Sequence, residues 1–565
     1  MPLVSYAAQT RARPTDAQLN HSKNPVKFAL ALPILALSLT ACQSAEEYRL
    51  EADEEAYNLV ADRRAQLFGE DGDFTIEPPE DSLRSQVLAG TVTQLLDLSL
   101  ADCLNIAAEN NRDYQFRKEE LYRAALDLTL ERWRLSWIAS GELDIGIDGL
   151  GSTAETQTAG GGIGFSKVLG TGAQVVADLG LAITNDLTGG GWSRQSSVSL
   201  LFTQPLLRGA GAWIVYEDLT QAERELVYEV RTFERFRRQL AVDAAGRILR
   251  LHQNLDTIEN ERRNHENVIK IRERNVALSE AGRLSDIQVD QARQDEFSSE
   301  DRLINARQNY ASALDSFKFF LGLPMDVEIS VSPDELHRLA SIAESVEGLE
   351  REQVIDLAYQ NRVDFKTVVD RTVDAERRSR VAADALRMGL DIGSSVNVSS
   401  ETDNPVKFNF QDVSWSLGLV IDLPIDRTLE RNNYRASLIS WQAAARNAAE
   451  LEDAIANDLR DELRESDARR ESKLIQSRAV LLAEKRVESA SLNLQAGRAS
   501  TRDLLEAQSS LVSSRNAETR ALIDYTLAQL DIVFDMGLLR VEEEGIRVDT
   551  MSEPASEPTG SMEAQ

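Results

Sequence analysis

Hydrophobic and polar positions along this 565-residue chain follow two alternating periods. Long stretches place apolar residues every three or four positions, the helical spacing, while two shorter stretches alternate apolar and polar residues one by one, as a strand with one wet face does. Helical spacing runs from Leu98 to about Trp137, from about Tyr216 to Ala281, from Ser285 to about Leu321, from Leu349 onward, from about Leu429 to Ala496, and from Ser500 to about Met536. Proline is absent and glycine sparse over Tyr216–Ala281 and Leu429–Ala496, so each predicts one helix approaching about 100 Å at about 1.5 Å per residue. The helices that follow carry heptad-like seams. One is Leu303, Ala306, Tyr310, Ala313 and Phe317; the other is Leu504, Ala507, Leu511, Ser514, Ala521, Tyr525, Ala528 and Ile532, interrupted by Glu518. Such seams predict helix-on-helix pairing, and their alanines and serines permit close approach.

Period two governs Leu143, Ile145 and Ile147, then Ile163 and Phe165, then Val175 to Ile183 at odd positions, then Val198, Leu200 and Phe202. It returns at Leu390 and Ile392, Val396 and Val398, and from Val413 to Ile421. This predicts four strands in the first half and two in the second. One apolar and one polar face with Gly/Thr/Asn-rich loops suits a barrel wall with lipid outside and water inside. A soluble sandwich is the other reading, but these strands stand isolated between long helices and no second sheet is available to cover them. Trp137, Trp192 and Trp415 sit near strand ends, where interfacial aromatics belong; ordinary packing is the other reading of each. So few strands cannot close a wide pore, and an open edge does not persist in lipid, so a membrane barrel would have to be shared between copies.

The two halves are duplicates. Ala281-Gly282-Arg283-Leu284-Ser285 recurs as Ala496-Gly497-Arg498-Ala499-Ser500, 215 positions later (497 − 282). The helices after both breaks end 40 residues past the break glycine, at Gly322 and Gly537. Asn110, Asp113 and Tyr114 match Asn361, Asp364 and Phe365 at an offset of 251; these asparagines read as bend or helix-interior positions. Ser99 is expected to cap the first helix with Asp102.

Charge and chemistry narrow the function. A net charge of −31 argues against a nucleic-acid partner. Four histidines, no HExxH and no P-loop leave no catalytic or cofactor constellation, and none is expected. The cysteines Cys42 and Cys103 give neither a disulfide framework nor metal spacing. Lys23 and Lys27 precede the apolar run Phe28–Leu39, too short for a bilayer span and of secretory-leader form. It ends Leu39-Thr40-Ala41-Cys42, which resembles the lipobox of bacterial lipoproteins; the resemblance implies cleavage before Cys42, acylation of its thiol, and, with Gln43 next, the outer membrane. An ordinary leader that happens to end beside a cysteine is the other reading.

In order and spacing, the duplicated plan, the strand exit Gln204-Pro-Leu-Leu-Arg-Gly-Ala-Gly211, the paired Gly-Arg-x-Ser breaks and the closing Phe320-Leu-Gly-Leu-Pro324 resemble the TolC-like outer-membrane efflux proteins over about residues 98–540. The resemblance implies a mainly α fold with a membrane β-barrel, in which a homotrimer joins its strands in one barrel and its long helical hairpins form a periplasmic tunnel. It implies the exit duct of a tripartite efflux pump or type I secretion system, not an enzyme, partnered by a periplasmic adaptor, an inner-membrane transporter and outer-membrane lipids. The expected divisions are a leader with an N-terminal extension (1–41), a lipid-anchored tether (42–97), a first repeat (98–330), a linker (331–348), a second repeat (349–540) and a disordered tail (541–565). Gly282, Arg283 and Ser285, with Gly497, Arg498 and Ser500, become hairpin tips that dock the adaptor. Asp503 and Glu506 match an acidic ring at the entrance, while the first hairpin carries Gln288 at the acidic position, with Asp286 and Asp290 nearby; a solvated helix face is the plainer reading of both acids. The competing function is a structural envelope lipoprotein that uses its coiled coils as a spacer, which would have no use for amphipathic strands. A membrane-anchored enzyme stands third.

Overall fold

The computed structural model describes residues 43–549 apart from 70–73, 78, 80–81, 91–95, 151–153, 188–190, 344–347 and 543–544. The leader, Cys42 and the chain beyond 549 lie outside the described residues. The chain divides into two compact units, one up to Glu55 and one from Ala56 onward. The first unit contains the start of helix α1 (Ala45–Phe68). Ser44 and Glu47 cap it reciprocally, and Arg49 bonds Glu46 and Asp53 one turn to either side, at 2.7 and 2.9 Å.

The second unit opens with α2 (Leu83–Leu88), β1 (Leu96–Leu98) and two helices in place of the single one expected, α3 (Leu100–Asn110) and α4 (Arg112–Arg134). Ser99 and Asp102 form the expected capping box. The break falls at Asn111, whose extended backbone ends α3 while its side-chain oxygen accepts from the Tyr114 N–H to start α4. Strands β2 (Ile138–Leu150), β3 (Ala154–Val168), β4 (Gln174–Asp186) and β5 (Gly191–Pro205) follow, then a single turn α5 (Ala212–Val215) and the hairpin of α6 (Glu217–Glu280) and α7 (Asp286–Leu321).

The second repeat is reached through β6 (Ile329–Val331), paired in parallel with β1, and α8 (Asp334–Ala343). The stretch expected to be a linker therefore contains a helix, because Leu339 has an apolar core to enter and is fully buried there. Then come α9 (Arg351–Asn361), α10 (Val363–Asp384), β7 (Gly389–Glu401), β8 (Asn404–Phe408), β9 (Ser414–Asp422), and the hairpin of α11 (Thr428–Gln495) and α12 (Thr501–Asp535). At about 1.5 Å per residue the 68 residues of α11 span about 100 Å. The expected tail boundary is also displaced. An antiparallel pair, β10 (Leu539–Glu542) and β11 (Gly545–Val548), continues the fold past residue 541, since Leu539 and Ile546 are buried in the same core.

Duplication extends to atomic contacts. Gly322 and Gly537 close α7 and α12 with φ of +73° and +75°. Each packs on the bend of its own repeat, Gly322 on the Asn110 carbonyl and Gly537 on the Asn361–Arg362 peptide. Asn110 and Asn361 both bond back to the carbonyl four residues earlier, at 3.0 and 2.8 Å. The main core lies at this level, where Leu100, Ile248, Phe317, Leu321, Leu530 and Val533 meet. Above it, α6 and α10 are joined through Asp374, which accepts from Arg224, Arg377 and the Tyr228 hydroxyl at 2.5, 2.9 and 2.5 Å.

The strands form one sheet in the order β2-β3-β4-β5-β7, with β8 and β9 both paired to β7, and all neighbours antiparallel. Six long strands match the expected count. The seventh, β8, is an addition that the alternation could not reveal, because it has five residues and one of them is Pro405.

Candidate functional site

The two hairpin turns share one geometry. After α6 the Gly282 N–H donates to the Ser279 carbonyl at 2.8 Å and the Arg283 N–H to that of Leu278 at 2.8 Å. After α11, Gly497 donates to Leu494 at 3.1 Å and Arg498 to Asn493 at 2.8 Å. This is the Schellman arrangement, which requires a left-handed residue at the first position after the cap. Gly282 and Gly497 supply it at φ of +72° and +71°, with open space around both. Arg283 and Arg498 are exposed on the turns.

The turns differ in how the next helix starts. Ser500 caps α12 in a box with Asp503: its hydroxyl accepts from the Asp503 N–H at 3.3 Å, and the Asp503 carboxylate accepts from the Ser500 N–H at 2.8 Å. The Ser500 N–H, and then the Ser500 hydroxyl donating at 2.8 Å, hold the Asp503 carboxyl below its ordinary range. Ser285 makes no side-chain cap bond, although Gln288 at the matching position is a residue type that can complete such a box, as Gln353 does at the start of α9. Glu506, one turn on, faces Arg486 of α11 at 3.0 Å, both well exposed. The expected acidic pair thus lies on an exposed helix face, with Asp503 committed to its own cap and Glu506 to an arginine across the hairpin.

Sequence reasoning missed the residue that joins the two turns. Asn275, 1% exposed on α6, donates to the Gln288 carbonyl at 3.4 Å and accepts from the Thr501 hydroxyl at 3.2 Å. Its signal was present, because Asn275 continues the apolar phase of Val268 and Ile271, which pack against Leu504 and Leu505 of the second hairpin.

The sheet has two unlike faces. Register places Leu143, Ile145, Ile163, Phe165, Leu179, Leu181, Val198, Leu200 and Val396 on one side, with Trp415, Leu417 and Leu419. They point outward: Ile145 is 89% exposed and Trp415 73%. The opposite side carries Glu142, Asp144, Asp148, Asp178 and Asp391, and no lysine or arginine occupies that face of β2–β5, β7 or β9. Asp144 and Asp178 lie flat across glycines of β3, occupying the space a Cβ at Gly160 or Gly164 would need. Ser199 donates to Asp178 at 3.2 Å. Among the described residues no helix is long and apolar enough to cross a membrane, and no group of three or more His, Cys, Asp or Glu side chains could hold a metal ion.

No family model and no curated protein matches the sequence. Solved structures do match. CusC, which forms a transmembrane channel, aligns over 79% of this chain and 93% of its own at 15% identity and a TM-score of 0.58. VceC, an outer membrane protein of Vibrio cholerae, aligns over 78% of this chain and 96% of its own, at 15% identity and a TM-score of 0.57. The chain has the fold of the TolC-like outer-membrane channels. CmeC, an outer membrane channel of Campylobacter jejuni, extends the likeness to 84% of this chain and 91% of its own, at 13% identity and a TM-score of 0.56. At these identities what is shared is the channel fold: long helical hairpins joined to an antiparallel sheet that supplies part of a barrel wall.

Proposed function

We propose that this chain forms, as a homotrimer anchored at Cys42, the outer-membrane exit duct of a tripartite efflux or type I secretion system. The observation that carries the reading is the sheet: one exposed apolar face, one polar face of small residues whose charges on β2–β5, β7 and β9 are all acidic, and edges at β2 and β9 with no partner among the described residues. An edge left open in lipid strands its N–H and C=O groups, so further copies must close the wall. A spacer lipoprotein gains nothing from such a sheet. In planar bilayers the purified protein is expected to conduct, and to prefer cations because the charged side chains on the polar face of β2–β5, β7 and β9 are all carboxylates. Asp144→Asn with Asp178→Asn should reduce that preference. A correctly inserted protein that stays silent, even with Asp503→Ala and Glu506→Ala, would favour the spacer.

In the same reading the two turns meet a periplasmic adaptor that leads to an inner-membrane transporter. Exposed Arg283 and Arg498 on matched Schellman turns support this role, together with Gly282, Ser285, Gly497 and Ser500, which set the turn shape. Asp503 and Glu506 narrow the entrance as a ring in the trimer, with Arg486 offsetting the charge of Glu506. Replacing Arg283 and Arg498 together by alanine is expected to weaken adaptor capture at least tenfold. Unchanged capture would remove the role assigned to both.

A further inference from the structure

We propose that Lys167 and Arg194 bind the phosphate groups of membrane lipids, one at each border of the apolar face. This rests on the sheet standing in a membrane, as proposed above. Lys167 is paired with Val175, and Arg194 with Ile183, so both side chains belong to the apolar face. Neither makes an ion pair among the described residues. Between their levels β4 presents only Ala177, Leu179 and Leu181 on that face. A cation on a lipid-facing wall is costly unless it reaches the headgroup region and an anion there.

Each cation also has an aromatic neighbour suited to that depth. The Lys167 ammonium lies 5.6 Å from the Trp137 ring centroid, and Trp137 is 57% exposed. Trp192, 55% exposed, is two residues before Arg194 and so on the same face. Indole rings favour the interface, and an ammonium held over a ring keeps its other hydrogens free for a phosphate. The spacing fits as well. From Val175 to Ile183 the strand rises about 26 Å at about 3.3 Å per residue. A tilt of about 40° reduces this to a height of about 20 Å, and both side chains reach outward from it, toward the apolar band of about 25 Å found in membrane barrels. The two residues thus mark the height of the membrane on the wall.

The test uses the full chain reconstituted in vesicles. Tryptophan quenching by brominated phosphatidylglycerol is compared with quenching by brominated phosphatidylcholine. The native protein should favour the anionic lipid. Lys167→Gln and Arg194→Gln should each lower that preference about fivefold. Lys167→Arg should keep it, and Lys407→Gln, whose lysine is already paired with Glu401 at 2.6 Å, should leave it unchanged. Equal preference in native protein and both glutamine variants overturns the proposal and leaves the duct intact; such a result would fit a carboxylate of a neighbouring copy as the partner. Binding of inorganic phosphate by the detergent-solubilised protein, lost in both glutamine variants while vesicles show no lipid preference, overturns it in favour of a simple anion site. Failure to insert overturns the duct and this proposal together.

Discussion

Gly322→Ala and Gly537→Ala are each expected to destabilise the chain by about 3 kcal/mol, whereas Gly282→Ala and Gly497→Ala should cost only about 1 kcal/mol. All four glycines have φ between +71° and +75°, so the backbone penalty for an L side chain is shared, about 1–2 kcal/mol. Space separates them. Around Gly282 and Gly497 an added Cβ meets nothing within 4 Å. At Gly537 it would lie 2.8 Å from the Asn361 carbonyl carbon, and at Gly322 it would overlap the Asn110 carbonyl. Both obstacles are backbone at a helix bend and cannot swing aside, so overpacking adds about 1–3 kcal/mol. Denaturant midpoints of the refolded variants measure this. Equal losses at all four positions would mean that the bends do not brace the hairpin ends.

Alkaline pH is expected to weaken the native protein, and Glu462→Gln to remove much of that sensitivity. Glu462 of α11 sits against Asp535 and Asp531 of α12, and its Oε2 has no hydrogen-bond partner among the described residues. Asp535 is itself held by Arg362 at 3.0 Å and Arg235 at 3.2 Å, at the bend between α9 and α10. Burial, then the hydrogen bond and charge of Asp535, push the Glu462 carboxyl up to about 9 from an ordinary 4.5. Burial, then Asp535, raise Asp531 to about 6. The folded chain therefore binds protons that the unfolded chain has released. Stability is full below about pH 4.5 for this group and declines as pH rises through its folded value near 9. Asp531 adds to the decline in its lower part, between 3.8 and about 6. Glutamine keeps a neutral donor toward Asp535 without a charge to lose. Unfolding midpoints at pH 5, 7 and 9 should fall for the native protein and stay nearly level for the variant. An identical alkaline loss in both would show that the sensitivity lies elsewhere.

Much of the fold was legible because its signals are long. The long proline-free runs Tyr216–Ala281 and Leu429–Ala496 leave little but helix, and alternation over Val175–Ile183 leaves little but strand. The duplicated Gly-Arg-x-Ser breaks located both turns to the residue. What escaped was short or depended on rotation. Pro405 masked β8, and the ten residues of α8 follow a Ser-Pro pair that reads as loop. That Arg486 meets Glu506 depends on how α11 and α12 face each other, which no local pattern encodes. Asn275 was readable as a polar residue in an apolar phase, but its two partners come from different hairpins.

The equal 40-residue runs from Gly282 to Gly322 and from Gly497 to Gly537 act as a ruler. Each is pinned at one end by a bend and at the other by the turn, where Asn275 and the packing of Val268 and Ile271 on Leu504 and Leu505 hold it. One residue inserted in α7 or α12 would rotate the turn end by about 100° and advance it by about 1.5 Å, out of register with those contacts. Insertions of seven would come close to restoring the phase, off by about 20°. Length is thus constrained more strictly than side-chain identity along these helices. Lineages of this protein should tolerate many substitutions there but change length mainly in whole heptads, and in both hairpins together.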